Sequence, residues 1–303
     1  MTHVVVLMGG QSAERPVSLK TGNACANALE TAGYKVTRLD VGPELVENLR
    51  KISPDVAFNA LHGPMGEDGS VQGLLEFLGL PYTHSGVLAS ALAMDKSRAK
   101  PVLAAAGVPV AEHITCTRFE AAERHLMEPP YVVKPVGEGS SFGVVFVYEG
   151  ANRPPVELLA DDWAHGDAMM AERYVAGLEL TCGCFNETVW DVIEIVPVAG
   201  MFHGFEAKYA PGGSKHILPA GLKPNIYQDI QRYTLMAHRA LGCRGASRAD
   251  FRYDPVKDEL VCLEVNTQPG MTETSLVPEM AAHAGMDFPA LVAALVEDAS
   301  CRR

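Results

Sequence analysis

Nowhere in its 303 residues does this chain carry an apolar run approaching the ~18 positions that a membrane-spanning helix requires. Positive charge is scarce as well. Lys and Arg number 25 against 37 Asp and Glu, leaving a formal net charge of -12. A nucleic-acid surface needs a broad basic field, so that class of partner is not expected. Any lysines that handle phosphate must be focused locally. Aromatic residues make up only 7%, with 48% apolar and 20% charged, a balance that fits a soluble α/β enzyme better than a disordered or fibrous chain. Among seven scattered cysteines, Cys182-x-Cys184 is the one close pair, and it has no second Cys/His pair nearby. Reduced, partly buried thiols are therefore expected in place of zinc, and with them a cytoplasmic setting. The opening Met1-Thr2-His3 and the short apolar run Val4 to Met8 lack the basic leader and length of a signal peptide. There is no GxGxxG spacing at Gly9-Gly10, which excludes the usual dinucleotide-binding turn, and no internal repeat or low-complexity linker.

What is present is alternation. Val4–Met8 predicts a buried strand, Gly9-Gly10 a turn into a helix ending near Gly33, and 34–39 a second strand. Another strand runs through 56–61 into a loop with Gly63, Gly66 and Gly69, and a helix follows at 71–78. Such β-α-β order implies a parallel sheet covered on both faces, with ligands at the carboxyl ends of its strands, where Glu14 and His62 fall. A helical pattern over 86–106 contains Lys96 and should kink or restart at Pro101, which lacks an N–H. Strands at 131–134, 144–148 and 168–175 predict a smaller antiparallel unit. The remainder mixes strands (189–198, 247–253, 260–266) with helices (225–241 and 275–284). Length alone suggests about two or three domains.

Five segments carry chemistry. In the stretch from Tyr131 through Lys134, Gly137, Gly139, Ser140, Ser141 and Gly143, glycines would let backbone N–H groups cradle phosphate while Lys134 adds a point charge. It is not a Walker loop, because the lysine precedes the glycines; a plain Gly-Ser hairpin would read the same way. A hairpin pairs 247–253 with 260–266. Strand alternation puts Arg248 and Asp250 on one face and Glu264 and Asn266 on another, and a register placing Asp250 opposite Glu264 would gather all four. One residue of slip would separate the pairs. Two carboxylates and an amide oxygen are the hard-oxygen set that Mg²⁺ uses; an exposed polar sheet face is the bland alternative. Thr267 to Leu276 joins that strand to a helix with Ser275, Thr272 or Thr274 available as N-cap, and its amino terminus could attract an anion or simply be capped. Glu172 and Glu179 flank an apolar strand that could edge an adenine slot or lie on the surface. Last, Glu206, Lys208 and Tyr209 precede a Gly/Pro-rich loop running to Pro219, either a lid or an ordinary surface loop.

Taken in order, these motifs resemble those of the D-alanine–D-alanine ligase family: Leu7–Ser18 around Glu14, Ala60–Gly69 around His62, Ala93–Lys96, the glycine loop, Glu206–Tyr209 and Leu263–Met271. The resemblance spans nearly the whole chain. It implies an α/β chain of the ATP-grasp fold, with an amino-terminal parallel-sheet domain (1–95) and central (96–182) and carboxy-terminal (183–303) α+β domains enclosing ATP. It further implies ligation of two D-alanine molecules through a D-alanyl phosphate, for peptidoglycan precursors, by a cytoplasmic homodimer. Position by position, Lys96, Lys134 and Lys208 would contact ATP phosphates, and Glu172 and Glu179 the adenine and ribose. Asp250, Glu264 and Asn266 would bind Mg²⁺ (or Mn²⁺). Glu14 and His62 would orient the first D-alanine; Ser140 and Tyr209, bonded to Glu14, would shape the second site. Arg248 and the Gly270 amide would stabilise the oxyanion, and Ser275 with Leu276 would hold the second carboxylate. Gln268, Ala249, Arg173 and Pro101 depart from the common family pattern. Tyr209 matches the D-alanine-using form of the lid, against relatives that accept D-lactate.

Overall fold

The computed structural model describes residues 1–197 and 214–302. Its first unit contains β1 (His3–Met8), α1 (Arg15–Thr31), β2 (Lys35–Asp40), α2 (Leu45–Ile52), β3 (Val56–Asn59) and α3 (Ser70–Leu78), with a parallel sheet in the order β2-β1-β3. The central strand β1 is covered on both faces, which is why Val4 to Leu7 form an unbroken apolar run rather than an alternating one.

Helices α4 (Val87–Met94) and α5 (Lys96–Ala105) follow. The expected break at Pro101 lies instead at Asp95, whose side chain accepts from the Ser97 and Arg98 amides at 3.0 and 3.2 Å and so starts a new helix. Pro101 sits inside α5 on its exposed side, where water can serve the carbonyl that the missing N–H leaves over.

A four-stranded antiparallel sheet, ordered β4-β7-β5-β6, comes next from β4 (His113–Thr117), β5 (Tyr131–Pro135), β6 (Val145–Val147) and β7 (Ala168–Arg173). Between β4 and β5, α6 (Arg118–Glu123) opens on a Thr117/Glu120 capping box. The third unit is a five-stranded antiparallel sheet, β10-β9-β8-β11-β12, made of β8 (Leu178–Phe185), β9 (Thr188–Pro197), β10 (Ser214–Ile217), β11 (Ala246–Asp254) and β12 (Glu259–Asn266). Helices α7 (Pro224–Leu241), α8 (Leu276–His283) and α9 (Phe288–Asp298) cover it. The end of the stretch expected to be a loop, Ser214–Ile217, is thus an edge strand paired with β9. The expected boundary between 182 and 183 falls inside β8, all of which belongs to this sheet.

Two cores lock the large sheet. On one face Ile226, Ile230 and Leu241 of α7 pack on Leu180, Val192 and Phe251. On the other, Trp190 and Ile193 join Val4, Val6 and Leu29 of the first unit with Met280 and Leu295. The parallel sheet and the five-stranded sheet therefore share one hydrophobic core. Cys182 and Cys184 are buried in β8, and all seven cysteines are free thiols.

Candidate functional site

A cleft opens between the two antiparallel sheets, with β5 to β7 on one side and β8, β11 and β12 on the other. Lys134 on β5 and Glu172 on β7 share a face, because Val132 is the residue directly opposite Glu172. Lys134 Nζ lies 3.2 Å from Glu172 Oε1, while Lys100 Nζ reaches Oε2 at 2.7 Å from α5. Burial pushes the Glu172 carboxyl upward, but the two ammonium groups outweigh it and hold the group below the ordinary carboxylate range. Burial likewise depresses Lys134, with Glu172 opposing and Lys100 reinforcing the shift. Lys96, one helical turn before Lys100, pairs with Glu264 Oε2 at 3.1 Å and donates to the Glu138 carbonyl at 2.8 Å.

The β11–β12 hairpin has the register that gathers its polar residues. Asp250 faces Glu264, Arg248 faces Asn266, and a bulge falls just beyond Asp250. Arg248 forks onto Asp250, with Nε to Oδ1 and Nη2 to Oδ2 both at 2.8 Å. Thr181 Oγ1 on neighbouring β8 donates to Asp250 Oδ1 at 2.7 Å. Asn266 Oδ1 accepts from the Gln268 amide at 2.8 Å. Two carboxylates and an amide oxygen thus stand on one surface. Among the described residues no cluster of three or more His, Cys, Asp or Glu side chains is placed to hold a metal alone. A hard cation here needs oxygens from its ligand as well, which is the habit of Mg²⁺ with phosphates.

A second cluster forms where the first unit meets the glycine loop. Ser140 Oγ donates to Glu14 Oε2 at 2.7 Å across a separation of 126 residues. A Cβ on Gly139 would sit 3.0 Å from Glu14 Oε1, so the loop backbone passes close against this carboxylate. Burial raises the Glu14 carboxyl first, and the Glu67 charge adds to it, against the lowering from Ser140 and His62. His62 is buried, with Nε2 3.0 Å from Thr21 Oγ1 and Nδ1 3.4 Å from Glu67 Oε1. Glu67 Oε2 in turn accepts from the Gly63 amide at 2.9 Å. Ser275 occupies the N-cap of α8, but its hydroxyl bonds Thr272 instead of the helix amides. Gly270 runs close by, its would-be Cβ 3.4 Å from Ser275 Oγ, while Leu276 packs on the shared core.

The structure therefore brings Lys96, Lys134, Glu172, Glu179, Asp250 and Glu264 to one cleft. Glu14, Ser140 and His62 assemble at its neighbour, and Lys208 and Tyr209 lie outside the described residues. Glu172 is not an open acceptor at the cleft wall, since each of its oxygens meets a lysine. Glu179 also lines the cleft, with Oε2 3.8 Å from Arg252 Nη1. Arg173 turns to Glu259 as a two-pronged pair. Sequence reasoning missed Lys100, Glu67, Thr181 and Arg252. Lys100 had a signal, standing four residues after Lys96 on a helix.

The family model described as D-ala D-ala ligase C-terminus matches residues 102–297, and that described as D-ala D-ala ligase N-terminus matches 43–85. The chain belongs to the D-alanine–D-alanine ligase family. Family members named D-alanine–D-alanine ligase include those of Chelativorans sp. (60% identical) and Methylocella silvestris (61% identical), each aligned over 99% of both chains. The Bacillus anthracis ligase complexed with ATP superposes with a TM-score of 0.83 at 29% identity, covering 98% of this chain and 97% of that one. A second Bacillus anthracis structure gives 0.84 at 31% identity over the same shares. These neighbours also place the fold, with its parallel sheet and two antiparallel sheets, in the class expected from the sequence.

Proposed function

We propose that this chain joins two D-alanine molecules at the expense of ATP, forming D-alanyl-D-alanine for peptidoglycan precursors. The observation that carries the reading is the cleft in which Lys96 and Lys134 face the Asp250–Glu264 pair, in a chain of this family. A carboxylate is a poor electrophile at neutral pH, so the first D-alanine needs activation as an acyl phosphate by the terminal phosphoryl group of ATP. Lys96 and Lys134 offset charge on that group in transit. Asp250, Glu264 and Asn266 suit Mg²⁺, and the ion would supply further charge neutralisation at the phosphates. Glu14, kept in place by Ser140, and His62, held between Thr21 and Glu67, orient the first amino acid. Arg248, fixed by its fork to Asp250, presents positive charge to the tetrahedral oxyanion as the second amine attacks, with the Gly270 amide beside it. The uncapped amino terminus of α8 at Ser275 and Leu276 suits the second carboxylate. Lys208 and Tyr209 complete the phosphate and acceptor sites in this reading.

Seven free thiols suit a cytoplasmic setting, and no helix among the described residues is long and apolar enough to cross a membrane. Homodimerisation belongs to the same proposal and is checked by sedimentation. The decisive assay is phosphate release from ATP with D-alanine against L-alanine, with product analysis in mixed D-alanine and D-lactate. D-alanine-dependent release and a dipeptide product are expected. No D-alanine dependence, or a depsipeptide as main product at neutral pH, would refute the substrate choice.

A further inference from the structure

Lys100 lies behind the cleft wall, 1% exposed, yet nothing in the reaction above uses it. Its ammonium lies 2.7 Å from Glu172 Oε2 and 3.5 Å from the Cys262 carbonyl. Glu172 itself is 1% exposed and gives its other oxygen to Lys134. The three groups form a closed row: lysine, carboxylate, lysine. A lone Lys134–Glu172 pair would be neutral, and an approaching phosphate would meet a lysine already balanced by a buried carboxylate. With Lys100 on the far oxygen, the row keeps one net positive charge, and Lys134, which lines the cleft, is its open end. In a desolvated site such neighbours act more strongly than in water, because less water stands between them to screen the charge.

We propose that Lys100 is a positioning residue for the nucleotide, neutralising Glu172 from behind so that the charge of Lys134 stays available to the phosphates. This rests on the reading of the cleft as an ATP site. The proposal separates two parts of the ligand. Adenosine, which carries no phosphate, should not sense Lys100, whereas ATP should.

The test compares ATP and adenosine binding, by calorimetry, to the full chain and to Lys100→Met, Glu172→Gln and the double variant. Lys100→Met is expected to weaken ATP binding at least about tenfold, equivalent to about 1.4 kcal/mol, with adenosine within about twofold. The double variant should regain most of the loss, because removing the carboxylate removes the charge that Lys100 balances. A packing role would weaken both ligands alike and would give no recovery, and either result overturns the proposal. If Lys100→Met does not fold, the double variant, which carries no carboxylate at position 172, still decides. Equal ATP affinity in it and in Glu172→Gln supports the proposal, and a further loss of about tenfold or more refutes it. Unsubstituted protein that binds ATP no better than adenosine would refute the ATP reading itself, whereas an unchanged ratio of ATP to adenosine affinity in Lys100→Met refutes the role of Lys100 alone.

Discussion

Gln268 departs from the common family pattern, and its side chain ties the first unit to the loop that carries Gly270. Its Nε2 donates to the Leu61 carbonyl and its Oε1 accepts from Asn59 Nδ2 at 2.6 Å, all within the protein interior. Asn59 and Leu61 lead directly to His62, so this amide sets how the end of β12 sits against the end of β3. Replacing it as Gln268→Ala removes two hydrogen bonds. Asn59 Nδ2 keeps its bond to the Gly66 carbonyl at 3.0 Å, but the Leu61 carbonyl loses this donor in a buried site. Two lost bonds amount to about 1 kcal/mol each, and the carbonyl left behind adds about 1 kcal/mol or more, giving roughly 3 kcal/mol in all. Trp190 lies in the core shared by the two sheets, so its fluorescence during urea unfolding reports on this junction. A fall in stability of about 2–4 kcal/mol is expected. A fall below about 1 kcal/mol would refute the idea that this buried amide clamps the two units, since that is the scale of ordinary surface substitutions.

Arg248→Ala should lower turnover by about a hundredfold or more in the phosphate-release assay. ATP affinity should stay within a few-fold, and unchanged turnover would remove Arg248 from the oxyanion role. Glu264→Gln should raise the Mg²⁺ concentration needed for half-maximal rate by about tenfold or more, and an identical metal titration would count against the hairpin as the cation site. Glu14, whose carboxyl is raised by burial and by Glu67, binds more protons folded than unfolded above its ordinary value of 4.5. Its contribution to stability therefore falls as pH rises through the window between the two values and stays low above it. Glu14→Gln should accordingly raise the melting temperature at about pH 8 but not at about pH 4 while abolishing activity, and an equal shift at both pH values would contradict this sign. Gly177→Ala should destabilise the chain by several kcal/mol in thermal unfolding, because φ is +89° and the new Cβ would lie 2.2 Å from the Tyr253 carbonyl; wild-type stability would show that the turn can move.

The parts of the molecule legible in the sequence are those fixed by local periodicity. The run Val4 to Leu7 between a polar start and a glycine turn could only be a buried strand. The alternation of Arg248, Asp250 and then Glu264, Asn266 fixed a shared face once the strands paired in the even register, and they do. The misses have physical causes as well. Pro101 drew attention as a helix breaker, yet Asp95 offers the backbone a stronger alternative by capping two amides. Ser214–Ile217, with Gly and Pro around it, carries too little pattern to signal a strand, and it forms one because β9 offers an edge. Helix α9 has only a short local mark, Asp287 and Pro289 at its start, where the Asp287 side chain caps the Ala290 amide at 2.8 Å.

Glu172 shows where such reading stops. Its strand and its apolar neighbours made burial foreseeable, but a buried carboxylate must take its partners from whatever packs over it. Those partners came from two elements, the adjacent strand for Lys134 and a helix 72 positions earlier in the chain for Lys100. The roles of Lys134 and Glu172 looked separable in sequence, one for phosphate and one for the base. In the folded chain they are a single electrostatic unit, and the sign of the field that a phosphate meets depends on a third residue whose only local mark was its spacing from Lys96. Pairwise motifs can name the groups in a cleft like this one; the net charge they present depends on which buried neighbours they share, and that is decided by packing.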